Sequence, residues 1–209
     1  MINRRQFTKA VMAASAIVLS TTRRRVWAAT QYVPHMNDDG LYTQPWFMQT
    51  FLNLRDDLAE ARSVGKRFAV IWEQKGCPYC KQMHTVNFAR PEINDYVRTH
   101  FSVLQLNLRG AREATDFDGE TLAERQLALK YGVHFTPTIQ FFPETVGNTP
   151  RRTGAELEIA RMPGYFKPFH FMAMFEFVND KLYERTSFQR YLHDKLAALQ
   201  SQGLNPETW

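Results

Sequence analysis

Two residues of this 209-residue chain have the type and spacing for covalent chemistry, Cys77 and Cys80 in Gly76-Cys77-Pro78-Tyr79-Cys80-Lys81, and they are its only cysteines. Three chemistries fit a Cys-x-x-Cys pair: an inert disulfide, half of a zinc site, or a dithiol that cycles with its disulfide. An inert bridge over two residues closes so short a loop that chain entropy returns only about 2 kcal/mol, against roughly 4.7 kcal/mol for a 100-residue loop. A closed zinc site needs two more ligands, and the six histidines (His35, His84, His100, His134, His170 and His193) include no close pair at ligand spacing. The cycling dithiol needs only the pair itself and an environment that favours a thiolate.

That environment is a matter of the flanking elements. Phe68 to Trp72 is a short run of apolar, β-branched and aromatic residues between Gly65 and Gly76, which reads as a buried strand. Cys80 to Phe88 reads as a helix, so Cys77 sits at or just before a helix N-terminus. There free amides and the helix dipole stabilise a thiolate and lower its pKa from about 8.5. Cys77 is therefore the expected nucleophile. Cys80, one turn farther in, is the expected resolving cysteine, which attacks the mixed disulfide. Pro78 suits the first helical turn.

The other elements follow by periodicity. Apolar residues at helical spacing predict a helix over Trp46 to Arg62, and Pro91 opens another to Val97. Phe101 to Leu108 reads as a second strand, Arg109 to Gly119 as a loop, and Glu120 to Tyr131 as a helix closed by Gly132. Thr138 to Phe142 and Leu157 to Arg161 read as further strands, and Phe169 to Val178 and Ser187 to Gln200 as helices. Alternating strands and helices predict the α/β class, a central mixed sheet flanked by helices with a helical C-terminal extension. The expected divisions are 1–28, 29–45 as a lead-in, 46–180 as the domain and 181–209 as the extension.

With 44% hydrophobic residues the chain can fill one core. Its net charge of +5 would point to nucleic acid or anionic lipid, but six basic residues and no acid fall in residues 1–28, leaving 20 basic against 21 acidic beyond. No nucleic-acid partner is expected. Residues 1–28 have a charged start, an uncharged run from Ala10 to Thr22 and small residues at Val26-Trp27-Ala28, the pattern of a cleaved signal. The run is shorter than the roughly 20 residues that span a bilayer, so no transmembrane helix is expected in the mature form. Asn3-Arg4-Arg5-Gln6-Phe7-Thr8-Lys9 resembles the twin-arginine export consensus, which predicts a periplasmic location. An ordinary secretory signal exports the chain equally.

The apolar strand with Trp72, the Cys-Pro-Tyr-Cys motif, and Gly132-Val133-His134-Phe135-Thr136-Pro137-Thr138 together resemble the thioredoxin superfamily. The resemblance implies the thioredoxin fold, with Pro137 as a cis-proline beside the redox-active disulfide Cys77–Cys80. It also implies that Thr136 is the residue whose backbone pairs with substrate peptide. A narrower resemblance is to SoxW-type thioredoxins of sulfur-oxidising bacteria. It rests on Glu73 to Lys81, Met83-His84, Asn87-Phe88, Gly164-Tyr165 and Pro168 to Phe171. That likeness implies a periplasmic protein-disulfide reductase with no metal or organic cofactor. It would draw electrons from a membrane thiol transporter and act on sulfur-oxidation proteins. A monomer is expected, since no dimerisation segment stands out.

Departures from the wider family open alternatives. Cytosolic thioredoxins carry a buried Asp six residues before the first cysteine, where this chain has Ile71. Glu73, four before, is either a substitute for proton transfer to and from Cys80 or a solvated strand-end residue. Tyr79 is expected to present its ring to partner peptides, or to act as a spacer. Lys75 and Lys81 either favour the thiolate or are simply solvated, Trp72 reads as core or site, and His84 reads as partly buried without function. An oxidase or isomerase for secreted proteins would use the same site in reverse, and a non-catalytic binding module would keep the fold alone.

Overall fold

A computed structural model describes residues 34–147 and 152–205. The leader lies outside the described residues, as does part of the turn region before residue 152.

The described chain opens with a small antiparallel hairpin, β1 (His35–Met36) and β2 (Tyr42–Thr43). The helix expected from Trp46 begins later, as α1 (Leu54–Ser63). Asn53 sets its start: its side-chain oxygen accepts from the amides of Arg55 and Asp56, an N-cap that ends any helix before it. Ahead of it the chain runs beside the sheet, the amide of Met48 donating to the Val103 carbonyl at 2.8 Å. The hydroxyl of Thr50 takes the Leu52 amide at 3.0 Å, a local bond that competes with helix formation.

Next come β3 (Arg67–Glu73), α2 (Pro78–Gln82), a π-helical turn at Met83–Asn87, α3 (Pro91–His100) and β4 (Phe101–Asn107). The loop expected at 109–119 instead holds β5 (Glu113–Thr115), paired with β6 (Thr121–Ala123), so the following helix α4 (Glu124–Lys130) is four residues shorter at its start than its apolar pattern suggests. Lys130 fixes the β5–β6 turn by reaching Asp116 at 2.6 Å, Asp118 at 2.7 Å and Glu120 at 2.8 Å.

After β7 (Thr138–Phe141) the strand expected at 157–161 is displaced. A one-turn helix α5 (Gly154–Leu157) precedes β8 (Ala160–Pro163). Thr153 and Glu156 form a reciprocal capping box there. Gly154 lies so close to the Tyr131 hydroxyl that a Cβ would meet it at 1.9 Å, so only glycine fits. Helix α6 (Pro168–Asn179), a 3₁₀ turn at Leu182–Glu184 and α7 (Phe188–Ser201) complete the chain.

The main sheet has the order β4-β3-β7-β8, with β3 parallel to β4 and the other neighbours antiparallel. Every residue of β3 is buried, and its side chains alternate between two cores. Phe68, Val70 and Trp72 join Leu54, Leu58, Leu127 and Tyr131 beneath α1 and α4. Ala69 and Ile71 join Met83, Phe88, Ile93, Val97, Phe171 and Phe175 beneath α3 and α6. By the same alternation Glu73, last on β3, falls on the side of Met83 and Phe88. Its carboxylate thereby meets His84, in the π-helical turn that follows α2.

Candidate redox site

Gly76 turns the chain out of β3 with φ +75°, a conformation glycine adopts without penalty. Cys77 follows as the N-cap of α2, and Pro78 occupies the first turn. Cys77 and Cys80 are joined by a disulfide, their Cα atoms 5.2 Å apart. Both are nearly covered, Cys77 at 6% exposure and Cys80 at 2%. The Cys80 amide donates to Cys77 Sγ at 3.0 Å. A donor so placed favours a thiolate at Cys77 Sγ when the bridge is open.

The Thr136–Pro137 peptide is cis, and the Thr136 carbonyl lies 3.5 Å from Cys77 Sγ. The two segments singled out from sequence, 59 residues apart, thus meet at the sulfur. The Pro137 carbonyl accepts from the Gly164 amide at 2.8 Å, which brings the Gly164-Tyr165 loop to the same end of the sheet. Tyr79 is 58% exposed and its ring stacks on that of Tyr165, centroids 6.5 Å apart. Tyr165 is held from behind, its hydroxyl donating to the buried Asn87 at 3.0 Å. Tyr79 is thus one half of an aromatic pair supported from the core. Lys75 and Lys81 are exposed, and Trp72 is a core residue, its indole N–H donating to Gln140 at 2.6 Å.

Glu73 is fully buried, which overturns the solvated strand-end alternative. The expectation of partial burial for His84 is corrected as well. His84 is fully buried, its Nε2 3.0 Å from Glu73 Oε1 and its Nδ1 2.9 Å from Gln44 Nε2. Gln105 Nε2 donates to the second carboxylate oxygen and, at 2.6 Å, to the Tyr42 carbonyl.

The direction of this chain of bonds is fixed from its far end. The Trp46 indole N–H, which can only donate, gives to Asn94 Oδ1 at 3.1 Å. Asn94 Nδ2 then donates to the Phe88 carbonyl at 2.9 Å and to Gln44 Oε1 at 3.1 Å. Gln44 must therefore donate through Nε2, leaving His84 Nδ1 as acceptor and its Nε2 carrying the hydrogen given to Glu73. Both oxygens of Glu73 accept. Gln44 and Gln105 escaped the sequence reading because a glutamine carries no motif; their only signal was burial, invisible before the fold.

Among the described residues no group of three or more His, Cys, Asp or Glu is placed to hold a metal ion. No described helix is long and apolar enough to cross a membrane.

The thioredoxin-like domain family matches this chain over residues 54–179, which contain the cysteine pair, the cis-proline loop and the whole four-stranded sheet. The chain belongs to that family. Among solved structures it is similar to a thioredoxin-fold protein from Helicobacter pylori, at 24% identity over 69% of this chain and 94% of that one, with a TM-score of 0.48. A thioredoxin from Thermus thermophilus matches at 23% identity over 60% and 83%, TM-score 0.45. The C-terminal domain of Neisseria meningitidis DsbD in its reduced form matches at 13% over 59% and 91%, TM-score 0.39. No curated protein matches the sequence.

Proposed function

We propose that this protein is an exported thiol–disulfide oxidoreductase that reduces protein disulfides. The observation that carries the reading is the juxtaposition of an N-capping, bridged Cys77 with the Thr136 carbonyl of a cis-proline loop. The Cys77 thiolate attacks one sulfur of a substrate disulfide, forming a mixed disulfide and expelling the other substrate sulfur as a thiolate. Cys80 then loses its proton and attacks Cys77 Sγ. The Cys77–Cys80 bridge forms, the second substrate thiol leaves, and two electrons have passed to the substrate.

Glu73 is the proton acceptor for Cys80 in this scheme, and the donor when the bridge is reduced again. Tyr79, Thr136 and Pro137 form the surface on which substrate peptide lies, the Thr136 backbone offering peptide-like hydrogen bonds beside the sulfur. The reductive direction, a periplasmic setting, a membrane thiol transporter as electron source and sulfur-oxidation proteins as substrates all rest on the SoxW-type resemblance and the twin-arginine-like leader.

A Cys80→Ser variant tests the scheme. Incubated with an oxidised protein substrate it is expected to accumulate a mixed disulfide through Cys77, readable by mass spectrometry, while Cys77→Ser forms none. Accumulation through Cys80 in the Cys77→Ser variant would contradict the assignment of roles.

A further inference from the structure

Beside the redox centre lies a groove of about 440 Å³ lined by Leu108, Arg109, Arg125, Leu129, Val133 and His134, with Ala128 in its floor. Both its walls are attached to segments that frame Cys77. Arg109 Nε donates to Gln74 Oε1 at 3.2 Å, and the Gln74 carbonyl in turn accepts from the Cys77 amide at 3.3 Å. His134 stands two residues before Thr136, whose carbonyl faces Cys77 Sγ. Arg125 and Leu129, one turn apart on α4, point to the same side.

The groove is apolar below and cationic at its rim. Leu129 is 67% exposed and neighbouring Phe135 is 54% exposed. Arg109, Arg125 and His134 form no ion pair among the described residues, whereas Arg112, Lys130 and Arg161 nearby each bind a carboxylate. The bias is local, since the chain beyond residue 28 is close to charge balance. Exposed Lys75 and Lys81 extend it along the cysteine motif.

We propose that this groove is a specificity surface for protein substrates whose disulfide is flanked by an acidic and apolar segment, the apolar side chains on Leu129 and Val133 and the carboxylates on Arg109 and Arg125. The inference rests on the oxidoreductase reading and names the substrate class for that site. A protein segment is the occupant because the groove's walls join the Gln74 and Thr136 segments that contact Cys77, so a chain docked there can also bring a disulfide to it. Unpaired guanidinium groups suit carboxylates, which they bind bidentately. Complementary charge of this kind acts chiefly on encounter rate and partner choice.

The test uses two disulfide-bonded peptides identical except that Asp-Leu-Glu flanks the disulfide in one and Lys-Leu-Lys in the other. Their cysteine-to-serine forms measure docking without chemistry. Wild-type protein is expected to bind the acidic serine peptide at least about 10-fold more tightly and to reduce its disulfide form correspondingly faster, with the preference shrinking as salt rises. Arg109→Glu with Arg125→Glu is expected to invert that order, each rate being normalised to the same variant's rate with neutral hydroxyethyl disulfide. Equal binding of the two serine peptides by wild type, or an order unchanged by charge reversal, would overturn the proposal. So would equal binding of an all-aspartate peptide lacking the leucine, which would reduce the groove to an unspecific anion surface. Failure to reduce any disulfide while the acidic peptide still binds would instead remove the oxidoreductase reading and leave the groove a binding surface.

Discussion

At the scale of single residues, the site sets a sulfur pair legible in sequence near a buried chain of polar side chains that is not. Glu73 and His84 stand out in the sequence only as types, whereas Gln44, Gln105, Asn94 and Trp46 carry no chemical signature at all. Yet an indole that can only donate decides, three bonds away, which nitrogen of His84 carries hydrogen. Glu73→Gln is therefore expected to leave formation of the mixed disulfide near the wild-type rate while slowing its resolution by about 100-fold, the order general-base assistance supplies. Stopped-flow separation of the two steps checks it, and equal slowing of both would assign Glu73 to the fold instead. His84→Leu leaves Glu73 and Gln44 each short of a partner, costing about 1–3 kcal/mol of stability for a buried group left unmatched. His84→Gln, which keeps a donor for Glu73, is expected to recover part of that loss in a denaturant titration.

At the scale of elements, α1 carries a testable liability. Asp57 is buried and titrates at about 6 in place of its ordinary 3.8. Burial is the main cause, a bond from the Thr50 hydroxyl opposes it, and the charges of Glu60 and Asp56 add to it. A carboxyl with a raised folded-state value keeps a proton that the unfolded chain has already released. This group therefore costs stability as pH climbs from about 4 to about 6, and the full cost persists above. Asp57→Asn is expected to stabilise the protein at pH 7 by about 1 kcal/mol and to flatten its stability over that range, as thermal melts across pH would read. An unchanged profile would contradict the assignment. The same region shows why element boundaries were harder to foresee than elements. Phe47 and Phe51 extend the apolar spacing of α1 backwards, but Asn53 and Thr50 satisfy the backbone locally, and the helix starts where the cap is. Likewise Leu122 belongs to the helical pattern of α4 yet lies in β6, because Lys130 draws three carboxylates into the β5–β6 turn. The strands β3, β4 and β7 were legible because a run buried on both faces leaves a continuous apolar signature. The short β5 and β6 leave none, and the run that foretold β8 was displaced towards its start by the one-turn helix α5.

At the scale of the whole molecule, the four-stranded sheet brings three distant segments to one end: the Cys77 turn after β3, the cis-proline loop before β7, and the Gly164-Tyr165 loop after β8. The stretch expected as a C-terminal extension packs on the domain. Phe188 and Tyr191 lie against Phe177 with ring centroids 5.5 and 5.6 Å apart, and Lys195 pairs with Glu176. Arg67, at the start of β3, bonds Tyr183 at 2.9 Å and pairs with Glu144 at 2.9 Å, a residue that Lys181 also reaches at 2.8 Å. The Arg67 ties lie at the start of β3, at the opposite strand end from the one the cysteine turn leaves, so the tail is fastened to the fold away from that turn. To act as a reductase, the pair must hold its electrons less tightly than the thiols of the substrate it reduces, which requires a lower midpoint potential than the substrate's. Its midpoint potential decides whether it does. Equilibration of the Cys77–Cys80 pair with defined thiol buffers is expected to give a value near that of thioredoxin, about −270 mV, and a value near the oxidising extreme of about −120 mV would contradict the reductase and make the same site an oxidase.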